Sequence, residues 1–260
     1  MKAIWLFCLG VAGLCSVADA EVVEMPGTGR WADMAFTSTE VNRLTQVRYE
    51  DTLAEYTAQR RLDDDVAMTR RVRKIGSTLI GAAIAFKPKS KLWAWEIHTT
   101  SDPNVDAFCM AGGKLLVGSA FVKKLKLSDG ELAMLIAHEV AHAVAEHHRE
   151  ELSEVLRLSG RPNTRPEILM AQLDADFSLQ LRLSNLSYMQ ESEADQIGMI
   201  LAHQAGWSTA DMVGFYRKLA QTDSSSMLAN AYPSMRSRLS MALGMARLFE
   251  SKENLTTKQR

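Results

Sequence analysis

Apolar positions recur at helical spacing along most of this chain and at strand spacing only in its middle. From about Thr39 to Ala85 the pattern is helical, with few breakers before Gly76 and Gly81. Large apolar and polar residues then alternate from Leu92 to Thr99, which predicts a half-buried strand. Asp102-Pro103-Asn104 signals a turn, and an extended piece follows around Asp106–Met110. Gly112-Gly113 reads as a hairpin turn and Lys114–Val122 as the next strand. A small antiparallel sheet is expected here.

Helical spacing returns after the sheet. Ser128 and Glu131 have the spacing of a capping box, opening a helix expected to run to about Leu156. Gly160, Pro162 and Pro166 mark a loop, a candidate lid. Ser184–Ala205 is helical and ends at Gly206. Ser208 and Asp211 resemble a second capping box, before a helix to about Leu219. A polar loop precedes a last helix near Met235–Phe249. The pattern as a whole predicts a mostly helical α+β domain, with the sheet over one central helix. Its expected bounds are 39–250, after an irregular arm at 21–38 and before a polar, frayed tail at 251–260.

The first twenty residues read differently. Lys2, the apolar run Ala3–Val17 and the small-x-small end Ala18-Asp19-Ala20 predict a secretory leader cleaved after Ala20. The run is short for a membrane span, which needs about 20 apolar residues. Cys8 and Cys15 fall inside it, so the exported domain carries the single thiol Cys109 and folds without an internal disulfide. A formal net charge of -1 gives no support to a nucleic-acid partner. The runs Arg60–Asp65 and Arg70–Lys74 read as solvated helix faces.

The central helix carries the chemistry. His138-Glu139-Val140-Ala141-His142 places two imidazoles four residues apart, on one helix face, where both can reach one ion. Glu139 is offset by one residue, placed to take a proton from a water activated at the metal. The surrounding segment Leu132–Ala145 is strongly apolar, so two histidines and a glutamate are costly there unless something pairs with them. A catalytic zinc site takes three protein ligands and leaves one position open. Glu191-Ser192-Glu193-Ala194-Asp195 is the best source of the third. Glu191 and Asp195 share a helix face, so one can ligate while the other orients a histidine; Glu193 is expected to point away. On spacing alone a solvated acidic patch competes with this reading.

Three segments carry a resemblance: Asp106-Ala107-Phe108 with Gly112-Gly113, His138–His142, and Glu191–Asp195. Together they resemble the gluzincin metallopeptidases of the HtpX, BepA and CaaX-protease superfamily, most closely its soluble periplasmic branch, over roughly residues 40–250. The resemblance implies a zincin-like fold, one Zn2+ per chain, and Glu191 as third ligand with Asp195 in support. It also implies that the strand before the Gly-Gly turn, here Val105–Met110 with Asp106, Ala107, Phe108 and Cys109, rims the cleft and pairs with extended substrate. The chain departs from that pattern in lacking a proline before Gly112 and in carrying Asp106. It also has Tyr232-Pro233, with Arg238 five residues on, where many members have histidine before the proline. Tyrosine is a poor neutral zinc ligand, so latency through that histidine is not expected here.

The expected activity is metal-assisted hydrolysis of peptide bonds in unfolded or misassembled envelope proteins, with outer-membrane proteins as candidate clients. His203, Tyr232 and Arg238 are open candidates for stabilising the oxyanion or supporting the cleft. His147 reads as packing or support of a ligand. Cys109 reads as a buried strand thiol, with a thiolate that blocks the zinc as the alternative. The rival function is a zinc-stabilised periplasmic chaperone with little proteolysis. A membrane-embedded prenyl protease would need several spans.

Overall fold

The structure is a computed structural model and describes residues 21–25, 27–221 and 233–258. The expected leader, at 1–20, lies outside the described residues, as does Tyr232.

The α+β class holds, and helices supply most of the chain. The arm at 21–38 is more regular than its glycines suggest. It forms an antiparallel hairpin of β1 (Glu21–Glu24) and β2 (Trp31–Met34). Gly27 and Gly29 both have positive φ, which lets the chain reverse between Met25 and Arg30. Ala32 and Met34 face inward while Trp31 and Asp33 stay exposed, the period-two pattern of a half-buried strand.

The expected helical region 39–85 is two helices, α1 (Ser38–Ala58) and α2 (Val66–Phe86). Between them Arg60 and Asp63 adopt left-handed conformations. Asp63 also accepts from the backbone N–H of Thr99 at 2.8 Å, so a sheet contact competes with helix continuation. Asp65 caps α2 by accepting from the N–H of Met68.

A 3-10 turn at Pro88–Leu92 leads to β3 (Glu96–Thr100), β4 (Ala107–Met110) and β5 (Lys114–Gly118). The strand order is β3-β5-β4. The β4–β5 hairpin is antiparallel as expected, while β3 pairs with β5 in parallel. After β3 the chain passes to the far edge and returns through the centre, which leaves β4 as an edge strand. At the hairpin turn Gly112 and Gly113 have φ of +77° and +81°, and a Cβ on Gly113 would lie 2.4 Å from the Trp95 ring. The last strand stops at Gly118, earlier than expected, because α3 (Ser119–Lys124) begins there.

The motif helix α4 (Asp129–Val144) starts at the predicted capping box of Ser128 and Glu131 and is buried along almost its whole length. It ends well before Leu156. Glu146 takes a left-handed φ of +60°, and α5 (His147–Ser159) sets off in a new direction. No glycine or proline announces this break. Glu146 is held by Ser38, by Lys87 at 3.0 Å and by Arg149 at 2.9 Å.

After a short loop follow α6 (Pro166–Ala175), α7 (Phe177–Arg182), α8 (Ser184–Gln204), α9 (Thr209–Leu219) and α10 (Met235–Lys258). The segment expected to fray from 251 is the end of α10 as far as Lys258.

The core surrounds α4, which packs between the sheet, α2, α8 and α9. Where α8 crosses α4, a Cβ on Gly198 would lie 3.0 Å from the backbone of His138. That close approach brings the α8 carboxylates to the motif histidines. A smaller apolar cluster lies among α1, α5, α6 and α7. Among the described residues, no helix is long and apolar enough to cross a membrane.

Candidate metal centre

His138 and His142 project from one face of α4, and Glu191 meets them from α8. The two Nε2 atoms are 3.3 Å apart. Each is 3.4 Å from a carboxylate oxygen of Glu191, His138 from Oε2 and His142 from Oε1. Ligands bonded at 2.0–2.1 Å in a tetrahedron lie about 3.3–3.4 Å from one another. The two Nε2 atoms have that spacing and the Glu191 carboxylate faces both rings, one through each oxygen, so the three side chains could hold a metal ion between them. Two neutral imidazoles and one carboxylate are a donor set that suits zinc. Like charge does not force the groups apart, since the three donors carry one negative charge in total.

Each histidine is oriented from behind. His138 donates through Nδ1–H to Asp195 Oδ1 at 3.0 Å, leaving the Nε2 lone pair toward the centre. Asp195 lies one helical turn after Glu191, as the spacing predicts. It is buried and also accepts from Arg238, at 2.5 Å and 2.8 Å, and from the Tyr216 hydroxyl at 2.9 Å. Burial raises the Asp195 carboxyl; its bonds to His138 and Arg238 outweigh that and hold it below the usual range.

His142 is oriented through a relay that the sequence did not reveal. Its Nδ1 lies 2.9 Å from Nδ1 of His147. With His142 Nε2 facing the centre, Nδ1–H of His142 donates and His147 accepts. His147 then donates through Nε2–H to Glu193 at 3.2 Å. Burial, the largest effect, lowers the His147 pKa to about 4, so it is neutral near pH 7 as the relay requires. Glu193, expected to point away, is buried, and Arg30 of the N-terminal arm grips it at 2.6 Å and 2.9 Å. The same guanidinium grips Glu150, and Gln190 donates to Glu150 at 2.9 Å. Burial raises Glu193, but Arg30 and then His147 outweigh it and hold the carboxyl down at about 2. Of this chain of groups only His147 was singled out from the sequence. Arg30 lies 163 residues from Glu193, and no local signal joins them.

Glu139 lies beside the donors, partly buried, and no hydrogen bond reaches its carboxylate among the described residues. Burial raises its pKa, against the lowering influence of His138 and His142. A carboxylate with a raised pKa and without a fixed partner is suited to shuttling a proton.

The remaining candidates separate clearly. Arg238 reaches the site and lies 3.9 Å from Glu191. His203 does not: it is twelve residues beyond Glu191 on α8, roughly 18 Å along the axis, and stacks on Phe249 at 4.3 Å. Cys109 is buried within β4, and burial raises its thiol well above the usual range, which disfavours a thiolate. Ala107, Phe108 and Cys109 lie on β4, with Asp106 just before it.

A buried helix carrying His-Glu-x-x-His, met by a glutamate from a second helix, defines a zincin-type metal centre, the site of a metal-dependent hydrolase. The model of peptidase family M48 matches residues 67–246, and the chain belongs to that family of metallopeptidases. Among its relatives is the mitochondrial metalloendopeptidase OMA1 of Arabidopsis thaliana, 33% identical over 160 residues, covering 60% of this chain and 32% of the relative. OMA1 of Schizosaccharomyces pombe is 27% identical over 249 residues, covering 90% of this chain and 69% of the relative. A putative beta-barrel assembly-enhancing protease of Vibrio cholerae is 25% identical over 233 residues, covering 83% of this chain and 45% of the relative. The chain thus spans from about a third to about two thirds of these relatives' lengths.

Proposed function

We propose that this chain is a zinc-dependent endopeptidase that hydrolyses peptide bonds of unfolded or misassembled cell-envelope proteins. The reading places the active protein outside the cytoplasm, with a leader removed after Ala20 and residues 39–250 acting as one peptidase unit. The observation that carries it is the convergence of His138, His142 and the Glu191 carboxylate, with Glu139 beside them.

In this reading those three residues hold the ion, which when bound supplies Lewis acidity to a water and to the scissile carbonyl. Glu139 accepts the proton of the attacking water and returns it to the leaving amine nitrogen. Asp195 keeps His138 in the tautomer that ligates through Nε2, and His147 does the same for His142. Arg238 holds Asp195 in place and adds positive charge close to Glu191. The substrate lies extended along the free edge of β4, paired through its backbone. Backbone pairing reads chain extension more than side chains, which suits unfolded clients.

The test is metal content and casein cleavage of the wild type and Glu139→Gln. About one zinc per chain in both, with cleavage reduced by about 10²–10⁴ in the variant, is expected. Unchanged cleavage by Glu139→Gln would refute the mechanism. Zinc without cleavage by the wild type would favour a binding protein stabilised by metal.

A further inference from the structure

A cavity of about 200 Å³ lies between α1, β4, α5 and α6, on the other face of β4 from Cys109. Phe108 and Met110 line it from β4, and Thr45 and Arg48 from α1. His148 and Glu151 line it from α5, and α6 closes it. Its volume is far beyond the roughly 10–15 Å³ that one water requires. Its lining residue His148 directly follows His147, the residue that contacts the ligand His142.

The polar groups in this cavity are unsatisfied in a consistent sense. No hydrogen bond or ion pair reaches the Glu151 carboxylate among the described residues. Nδ1 of His148 is buried and has no hydrogen-bond partner. Burial pushes the His148 pKa down to about 3, so the ring is neutral and one of its nitrogens is an acceptor. The nearby cation is already used: Arg48 forms a two-pronged pair with Asp174 at 2.5 Å and 3.0 Å. Those two charges cancel, so Arg48 supplies no counter-ion to the Glu151 carboxylate. Burial, the largest effect, pushes the Glu151 carboxyl up to about 7, as expected for a desolvated anion without a counter-ion. The walls, Phe108, Met110, Leu152, Met170 and Leu173, are otherwise apolar.

An apolar channel containing an anion and an unpaired acceptor fits a long side chain with an aliphatic stem and a cationic, donor-rich head. We propose that this cavity is a substrate subsite for a lysine or arginine side chain, with Glu151 as its anionic anchor and His148, in the tautomer that carries its proton on Nε2, offering Nδ1 as a second acceptor. The assignment rests on the reading of the chain as a peptidase with substrate along β4. A substrate strand on that edge projects alternate side chains to the face shared by Phe108 and Met110. Specificity would then sit on α5, one helical turn beyond the break that orients His147.

The test compares kcat/KM for peptides that differ only in carrying Lys, Arg, Leu or Glu at each position flanking the scissile bond, in zinc-loaded wild type, Glu151→Gln and Glu151→Lys. The wild type should prefer Lys or Arg over Leu at one position by about tenfold or more. The preference should collapse in Glu151→Gln and turn toward Glu in Glu151→Lys. No basic preference in the wild type, or the same preference in Glu151→Gln, would overturn the proposal. If the wild type cleaves none of these peptides, the peptidase reading fails and the cavity is judged by binding alone. Acetyl-arginine amide should then shift the His148 imidazole resonance in wild type but not in Glu151→Gln. No shift in the wild type would overturn the cation site.

Discussion

The two motif histidines sit one turn apart on the same helix, yet they are held by different constructions. His138 is held directly by Asp195, which Arg238 and Tyr216 clamp within α8, α9 and α10. His142 is held at one remove, through His147 to Glu193 and on to Arg30 and Glu150. The first support is short and deeply buried, with its carboxylate fixed by the same helix that supplies Glu191. The second draws on a helix break and on the N-terminal arm, and Arg30 is partly exposed. The direct support should therefore be the more costly to lose, and the relay the more sensitive to events outside the core.

The largest effect is expected for Asp195→Ala. It frees His138 to rotate and leaves the guanidinium of Arg238 buried without its carboxylate. Breaking a buried pair from one side costs about 3–5 kcal/mol, and removing the partner of a ligating histidine weakens metal binding about 10–100-fold. Thermal unfolding with and without zinc, together with zinc affinity by competition with a chelating dye, measures both. Losses no greater than those of Arg30→Ala would erase the distinction between the two supports.

The contrast also explains what could be read in advance. His138, Glu139 and His142 could be read from i, i+4 spacing on one helix, whereas spacing left Glu191 and Asp195 open against a solvated acidic patch and the resemblance assigned them. Once each segment is helical, the geometry is local. Arg238 was reached only through the resemblance. Arg30 and Glu193 were missed because their pairing depends on where the β1–β2 hairpin lands. Glu193 does lie off the face of Glu191 and Asp195, as expected, but α5 and the arm cover it there, so it is buried and paired with His147 and Arg30. The break at Glu146 was invisible because its left-handed backbone is stabilised by Ser38, Lys87 and Arg149, from three separate elements. The same long-range logic divides the helical region 39–85 into α1 and α2 and sets β3 parallel to β5.

A smaller effect is expected for Arg30→Ala. Glu193 and Glu150 would keep their positions on α8 and α5 but lose their shared cation. Hydrogen bonds to charged groups contribute about 1.5–3 kcal/mol, and partial exposure of Arg30 places the loss at the low end of that range. Zinc affinity should fall by less than in Asp195→Ala, because His147 still contacts His142. Combining Arg30→Ala with Glu193→Gln tests the connection. A double-mutant cycle with no coupling would mean that the arm does not act through Glu193.

The smallest effect concerns the break that makes the relay possible, and it should appear as pH dependence. Burial raises the Glu146 carboxyl, and Lys87, Ser38 and Arg149 outweigh it, so its folded pKa lies below the ordinary value of 4.5. A depressed carboxyl contributes stability above its unfolded pKa and loses it as pH falls through the folded value. The wild type should therefore lose thermal stability as pH falls below about 4.5, and the Glu146→Gln variant, less stable at pH 7, should lose less over the same interval. If the two melting curves shift in parallel from pH 6 to pH 3, Glu146 is not the charge that fastens the turn. The left-handed backbone there would then be held by its neighbours' packing alone, and the geometry of His147 would owe nothing to the Lys87 and Arg149 pairs.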